Sequence, residues 1–405
     1  MDKRLTGCQI ALPEDLKRAN RRKILNIFRR GETVTIADIH RETEISKPTI
    51  TRAVQHYCDS GMVRSLGLGS TTSMGGKKPE LFRFADERKI LCMELWPRQS
   101  TLALCGLVGD VYAVRHFDYT MENDPDRAFK PMAEAAMRYL REQQVSMDAL
   151  YGVALSVPGT VDYGSKLLRY NAHAPGWGND VDLEHRLKDA FGAEKVYYIE
   201  NAGKAAGRAV LLDDAGNADQ RLLTVFTTWG VSACLIERGR VINGRDALIG
   251  EIGHMIVSDT HSGRCACGKQ GCLESLVNLE HVRAMLSELG VDALEGAPVT
   301  FQALFAASRA GHPAARQVVE RLAHWFAVAL HNLSLAYNQE AVIFQGDYAW
   351  ADGAFDRALR AELRQFRYYP DGEPFDIRYD RRELSLLAAR GSVEPMREAY
   401  FSSVD

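Results

Sequence analysis

The chain has 405 residues, 46% of them hydrophobic, with a formal net charge of −3, enough apolar content for two or three domains with cores of their own. No uncharged apolar run reaches the roughly 20 residues that a membrane-spanning helix needs, and the opening stretch MDKRLTGCQIALPEDLKR lacks the apolar core and cleavage site of a secretory signal, so a cytoplasmic protein without membrane insertion is expected. The mild average hides an asymmetry, because residues 1–84 hold 16 Lys and Arg against 9 Asp and Glu, a net of +7 that leaves −10 on the rest. A basic head on an acidic body is the pattern of a nucleic-acid-binding module joined to a ligand-binding one.

Within the head, Leu16, Ile24, Ile27 and Phe28 fall broadly on one helical face between Leu16 and Arg30, and Gly31 ends that helix. A second helix fits Thr35 to Glu44, with Ile36 and Ile39 inward. Ile45 and Ser46 make a turn, Ser46 is a good N-cap, Pro48 falls in the first turn of a third helix, and Ile50, Val54 and Tyr57 line one face up to Gly61. This spacing predicts a helix-turn-helix. Lys47, Thr49, Thr51, Arg52, Gln55 and His56 point outward, as donors and acceptors suited to a major groove. Met62 to Phe84 reads as two strands joined by a Gly- and Ser-rich loop with Lys77 and Lys78 at its tip, a wing that would reach phosphates or a minor groove. A charged face on a single helix is usually only solvated; here spacing, wing and charge agree, so operator DNA is the expected partner, contacted by Ser46, Lys47, Thr49, Thr51, Arg52, Gln55, Lys77 and Lys78.

From Arg88 the pattern alternates short apolar strands with helical stretches, as α/β lobes do. Ile90–Leu95, Ser100–Leu107 and Val111–Tyr119 are strand-like, Ala128–Gln144 is helical, and Tyr151–Pro158 is a buried strand. His281–Gly290, Gln302–Ala310, Pro313–Tyr337 and Leu384–Tyr400 follow as helices. In the third of these, Val319, Leu322, Phe326, Leu330, Leu333 and Tyr337 form a stripe that fits either plain core or a dimer contact. No internal repeat is visible. Of the eight cysteines, Cys8, Cys58, Cys92, Cys105 and Cys234 are scattered singletons, which suits a reducing compartment. Cys265, Cys267 and Cys272 are not scattered. In GEIGHMIVSDTHSGRCACGKQGCLE, residues 250–274, they share a tight loop that Gly268 and Gly271 allow to turn back, with His254 upstream. Clustered cysteines can pair as a disulfide, but three thiolates and one imidazole are the closed tetrahedral set of a structural zinc.

GEIGHM followed by CxCGxxGCLE resembles the signature of the ROK family, which contains sugar kinases and sugar-responsive repressors, and the resemblance covers nearly the whole chain. It implies an α/β, actin-like (ribonuclease H-like) two-lobed sugar-kinase fold preceded by an N-terminal winged helix-turn-helix. The division it suggests is a DNA-binding domain at 1–85, a first lobe at 86–200 completed by a C-terminal helix within 384–405, and a second lobe at 201–383 carrying zinc on His254, Cys265, Cys267 and Cys272. Glu251, His254 and Glu274 would face a sugar. Ser156-Val157-Pro158-Gly159 resembles the family's GVPG turn, Asn171 with Pro175-Gly176-Trp177 its NxPGW loop, and Asn201 stays in its ENDA segment, so Asn171, Gly176 and Asn201 join the expected sugar site. The phosphate-transfer parts are missing. Where the family's kinases have a DxGGT hairpin this chain has Glu94-Leu95-Trp96-Pro97-Arg98-Gln99, the second glycine-rich loop is reduced to Thr228-Trp229-Gly230-Val231-Ser232-Ala233-Cys234, and the position of the catalytic Asp is Ala202, whose methyl group cannot take a proton. The resemblance therefore implies a homodimeric (or dimer-of-dimers) repressor without enzymatic activity, released by a sugar or sugar phosphate. The rivals are an ATP-dependent sugar kinase with an appended DNA-binding head, and a sensor of a protein partner. With Trp96 and Trp229 in place of glycine loops, a closed nucleotide cleft is expected.

Overall fold

In the computed structural model, residues 13–403 are described except 70–77, 97–98, 119–121, 213–216, 218, 260–262, 295, 352, 367 and 369–374. The first elements are α1 (Pro13–Phe28), α2 (Ile36–Thr43) and α3 (Lys47–Asp59), followed by an antiparallel hairpin of β1 (Val63–Leu68) and β2 (Glu80–Phe84). Helix α2 starts at Thr35 because the Thr35 hydroxyl accepts the Asp38 N–H (3.1 Å) while the Asp38 carboxylate accepts the Thr35 N–H (3.0 Å), satisfying two amides that a helix end leaves open. It ends at Glu44, whose left-handed backbone (φ 59°) turns the chain straight into α3. Ser46 does take the N-cap position of α3, but its hydroxyl bonds that of Thr49 (2.8 Å) instead of a backbone amide. Ile24, Phe28, Ile39, Ile50, Val54 and Tyr57 converge in a closed core. Leu16 departs from the sequence reading. It is 58% exposed, because burial on α1 begins only at Ile24 and the earlier turns overhang that core.

The body holds two five-stranded mixed sheets. In the first, β3 (Lys89–Glu94), β4 (Gln99–Gly106) and β5 (Val111–Asp118) run antiparallel, and helix α4 (Pro125–Glu142) leads to β6 (Leu150–Val157), parallel to β3. Three short strands, β7 (Thr160–Val161), β8 (Leu167–Tyr170) and β9 (Val181–Asp182), form a small flap before α5 (Leu183–Phe191) and β10 (Val196–Asn201), parallel to β6. Helix α6 (Ala202–Arg208) then enters the second lobe: β11 (Leu222–Thr227), β12 (Val231–Glu237), β13 (Arg240–Val241), α7 (Leu273–Val277), α8 (Leu279–Glu288), α9 (Phe301–Ala310), α10 (Pro313–Tyr337), β14 (Ala341–Gly346), α11 (Ala354–Gln365) and β15 (Asp376–Asp380). The sheet orders are β10-β6-β3-β4-β5 and β13-β12-β11-β14-β15. Numbered within each lobe, both read 5-4-1-2-3 in one direction or the other, with the same antiparallel and parallel pairings, so the topology is duplicated although the sequence shows no repeat. The stripe on α10 is mostly core: Val319, Leu322, Phe326 and Leu330 are buried, and Phe326 packs edge-on against Phe344 and Tyr348.

The last helix, α12 (Leu384–Ser403), returns to the first lobe and packs on β3, β6 and β10, and also on α6. The crossing with α6 is backbone to backbone. A Cβ on Gly391 would lie 1.7 Å from the Ala205 carbonyl oxygen, so no other residue fits. Farther along, Met396, Tyr400 and Phe401 join the same apolar cluster as Ile24, Phe28 and Phe84 of the first unit. Arg29 pairs with Glu394 (2.7 Å), and Arg397 donates to the carbonyls of Leu107 (2.9 Å) and Arg29 (2.7 Å). Head and first lobe thus share one core, with α12 as the common wall. Among the described residues no helix is long and apolar enough to cross a membrane.

Candidate ligand cleft and metal centre

Gly250 starts the loop that the sequence singled out. Its φ is +101°, and a Cβ there would meet the Ala233 oxygen at 2.2 Å, so the chain can pass β12 only as glycine. Beyond the short turn Ile252–His254, amide bonds from Leu273 to the Met255 carbonyl, Val257 to Gly271 and Cys265 to Lys269, each 2.9 Å, fold residues 255–259 and 263–273 into a ribbon. That ribbon brings together His254, Cys265, Cys267 and Cys272, whose ligand atoms all lie within 4.8 Å of one another. Cys265 Sγ is 3.5 Å from His254 Nδ1, and Cys267 Sγ is 3.7 Å from Cys272 Sγ, too far for a disulfide. Tetrahedral zinc with bonds of about 2.3 Å to sulfur and 2.0 Å to nitrogen spaces its ligands about 3.5–3.8 Å apart, so the four side chains fit that ion. Burial pushes the Cys265 and Cys272 thiols up, and a cation at this point reverses that preference.

The same ribbon forms one wall of a cleft of about 550 Å³ between the lobes, which is lined by Asn201, Glu251, His254 and Glu274 among others. Glu274 is fixed at both ends: one carboxylate oxygen accepts the Val231 N–H (3.0 Å) and the other lies 3.7 Å from Cys265 Sγ. Glu251 is half-buried, and desolvation raises its pKa with the help of Glu274, against the pull of His254, Lys204 and the Thr160 hydroxyl. Asn201 reaches the cleft, but its amide is used locally. Its Oδ1 accepts the N–H groups of Gly203 (2.9 Å) and Lys204 (3.1 Å), capping α6, and its Nδ2 donates to the Gly159 carbonyl (2.8 Å).

Asn171 and Gly176 are not brought to the cleft surface. Asn171 is 1% exposed, and its Oδ1 accepts the His173 N–H (3.0 Å), turning the loop so that His173 lines the cavity instead. Gly176 donates its N–H to Asn123 (2.8 Å), and Trp177 Nε1 donates to the Glu122 carbonyl (2.7 Å), which latches this loop to the segment before α4. His173 was legible only indirectly, as the residue two beyond an Asn that favours such a turn. It converges with Glu274 over Gly230, where a Cβ would lie 2.7 Å from Glu274 Oε2 and 3.2 Å from His173 Nε2.

In the same cleft Trp96, which follows β3 of the first lobe, stacks on Phe226 of β11 in the second, with centroids 5.7 Å apart and planes 13° from parallel. Ala202 lines the cleft too. Pro97 and Arg98 are outside the described residues. Glu94 is fully buried here and its pKa is pushed up to about 7 by burial, with the side chains of Trp96 and Thr101 pulling it down and Glu383 raising it. Trp229 behaves otherwise than expected. It is 49% exposed at the cavity rim, so the stack of Trp96 narrows the cleft and Trp229 does not fill it.

On the head, Ser46, Lys47, Thr51, Arg52 and Gln55 are exposed along α3 and Thr49 is half-buried. Gln55 Nε2 donates to Asp59 (2.8 Å) and the Thr51 hydroxyl to the Lys47 carbonyl (2.9 Å). Lys78, just before β2, is exposed; Lys77 lies outside the described residues.

The model of the ROK family matches residues 92–381. The chain belongs to the ROK family. Its α/β body has the actin-like sugar-kinase fold of that family, seen in the structure of a ROK hexokinase from Thermus thermophilus (TM-score 0.60, 23% identity, 77% of this chain and 99% of that one). A ROK family transcriptional regulator, homolog of the Escherichia coli MLC protein, superposes with a TM-score of 0.76 at 18% identity over 96% of this chain and 98% of its own. Among ROK relatives by sequence, a glucokinase of Halalkalibacterium halodurans is 25% identical over 61% of this chain and 77% of its length. The xylose repressor of Bacillus subtilis is 19% identical over 89% and 91%, and the DNA-binding transcriptional dual regulator NagC of E. coli 21% over 98% and 96%. The kinase match leaves over a third of this chain uncovered; the two regulator matches cover nearly all of it.

Proposed function

We propose that this protein is a sequence-specific DNA-binding repressor whose operator affinity is set by a sugar or sugar phosphate held in a cleft that has lost phosphoryl transfer. The observation that carries this reading is a cleft that holds the Trp96–Phe226 stack and Ala202, in a body joined through one core to a basic three-helix head. A kinase on this scaffold needs backbone amides around phosphates and a carboxylate within hydrogen-bond reach of the acceptor hydroxyl; an indole and a methyl group supply neither. The head, residues 1–85, reads as a winged helix-turn-helix, with Lys47, Thr49, Thr51, Arg52 and Gln55 on its recognition helix and Lys78 on its wing. The body divides into lobes at 86–200, completed by the helix within 384–405, and at 201–383.

Glu251, His254 and Glu274 are the groups on which we place the sugar hydroxyls, with Asn201 as a positioning residue. His254, Cys265, Cys267 and Cys272 would hold a structural zinc, which when bound cross-links the loop that carries His254 and Glu274. The signal then has a short path. Ligand that draws the lobes together loads the N-terminus of α6, which Asn201 caps; α6 bears on α12 through the Gly391 crossing; and α12 carries the head through Arg397, Tyr400 and Phe401. A ligand shifts this equilibrium only by its differential affinity for the two lobe arrangements. In a homodimer, the resulting change in spacing between two heads weakens binding to a palindromic operator. The test is fluorescence anisotropy on the DNA upstream of the protein's own gene, at two salt concentrations, with a panel of sugars and sugar phosphates. Tight, salt-sensitive binding relieved by one ligand supports the reading. ATP turnover with a hexose, or no sequence preference on DNA, defeats it.

A further inference from the structure

The cleft is larger and less evenly polar than a monosaccharide requires. Its 550 Å³ lies within the range of about 300–1,000 Å³ for pockets that take drug-sized ligands, well beyond a hexose of about twelve non-hydrogen atoms. Glu251, His254 and Glu274 supply its polar groups. Trp96, Trp229 and Leu248 line it as well, flat or apolar side chains that suit the face of another ring, with Phe226 buried behind Trp96. Trp229 and Leu248 are 49% and 64% exposed, so they offer apolar surface at the mouth.

Charge points the same way. The lining holds four carboxylates, on Asp180, Asp246, Glu251 and Glu274, against two cations, on Arg169 and Lys269. Arg169 is already engaged by Asp162 and Asp180, each at 2.6 Å, which leaves Lys269 as the lining cation for a phosphate, a point charge without the two-pronged fit of an arginine fork. The N-terminus of α6 is occupied by the Asn201 side chain. A dianion entering here meets more negative charge than positive.

We infer that the cleft takes a neutral glycoside, with its sugar ring against Glu251, His254 and Glu274 and an apolar or aromatic aglycone against Trp96 and Trp229, in preference to a phosphorylated monosaccharide. This rests on the reading of the cleft as the effector site. It gives Trp96 and Trp229 a use beyond blocking ATP.

The experiment is calorimetric titration of the purified full-length protein with matched sets: glucose, glucose 6-phosphate and phenyl β-glucoside, and the same three forms of galactose and N-acetylglucosamine. The expected result is that one phenyl glycoside binds at least tenfold tighter than its free sugar and the matching phosphate weaker than both. Trp229→Ala, at a half-exposed position that leaves the core intact, should bring the glycoside to the affinity of the free sugar and leave the free sugar unchanged. Tighter binding of a phosphate, equal binding of glycoside and free sugar, or a glycoside preference that survives both Trp229→Ala and Trp96→Leu overturns the inference while leaving the cleft as a sugar site. No binding of any sugar in any form removes the cleft reading itself.

Discussion

Replacing Arg397 with Met tests whether α12 is the joint between head and body. Arg397 is 8% exposed and spends its guanidinium on three partners, the carbonyls of Leu107 (2.9 Å) and Arg29 (2.7 Å) and the carboxylate of Glu394 (2.7 Å). Met keeps most of the apolar stem, so packing loss is small. Glu394 retains Arg29 at 2.7 Å and is not stranded. What remains is two carbonyls without donors, at about 1–3 kcal/mol each, partly offset by no longer burying a charge. The net expectation is a loss of about 2–4 kcal/mol, concentrated at the head–body junction. Urea denaturation followed by circular dichroism should show it, and limited proteolysis should cut between residues 60 and 90 at least tenfold faster than in wild type. Arg397→Lys should rescue little, because an ammonium cannot span the two carbonyls and the carboxylate as a planar fork does. Glu398→Ala, one residue along and exposed, should stay within about 0.5 kcal/mol. A loss below about 0.5 kcal/mol in Arg397→Met, with unchanged proteolysis, refutes the idea that this side chain holds the joint.

Four further expectations follow from the site. Cys267→Ser should lower bound zinc well below one per chain by mass spectrometry of the native protein and abolish any sugar response; normal metal content with a normal response removes the zinc assignment. Glu274→Gln keeps an acceptor for the Val231 amide but loses the charge, so calorimetry should show sugar affinity falling about 10–100-fold, in line with 1.5–3 kcal/mol for a hydrogen bond to a charged group, at nearly unchanged melting temperature. Burial pushes the pKa of Glu94 up to about 7 from the ordinary 4.5, so its burial is tolerated below pH 4.5, costs stability progressively as pH rises from 4.5 to 7, and levels off above 7 at about 3 kcal/mol. Glu94→Gln should therefore stabilise the protein at pH 8 and not at pH 4.5, as compared by urea midpoints; a gain that is equal at both contradicts it. Lys47→Ala and Lys78→Ala should each reduce the salt dependence of operator binding by about one phosphate contact, measured as the slope of log affinity on log salt, without changing which sequence is preferred.

The parts legible from sequence are those where spacing alone determines geometry. A turn between two short amphipathic helices and a proline in the first turn of the next leave the head little freedom, and its inward residues from Ile24 to Tyr57 were readable as such. The metal loop was equally plain, because CxCGxxGC with His254 upstream brings four ligands together in almost any fold that closes the loop. Roles that depend on what a side chain meets across the fold were not readable. Asn201 resembles a sugar ligand, yet the first turn of α6 takes its oxygen. Asn171 and Gly176 shape the loop that presents His173, and no pattern marks which of them reaches the cavity. The duplicated sheet order was hidden because buried central strands such as β6 and β14 are nearly continuous apolar runs with no periodic signature. Helix α11 and strand β15 went unread although Phe355, Leu359 and Leu363 recur at helical spacing along Ala354–Gln365 and are buried.

The position of α12 in the chain sets an order of assembly. The head and β3 emerge from the ribosome first, but the helix that completes their common core comes some 290 residues after β3 ends, roughly 15–60 s later at 5–20 residues per second. Until then Ile24, Phe84 and Cys92 lack the wall formed by Met396, Tyr400 and Phe401. A chain interrupted in the second lobe therefore leaves that apolar face of the head and first sheet uncovered, so seating of the head on the body waits for α12.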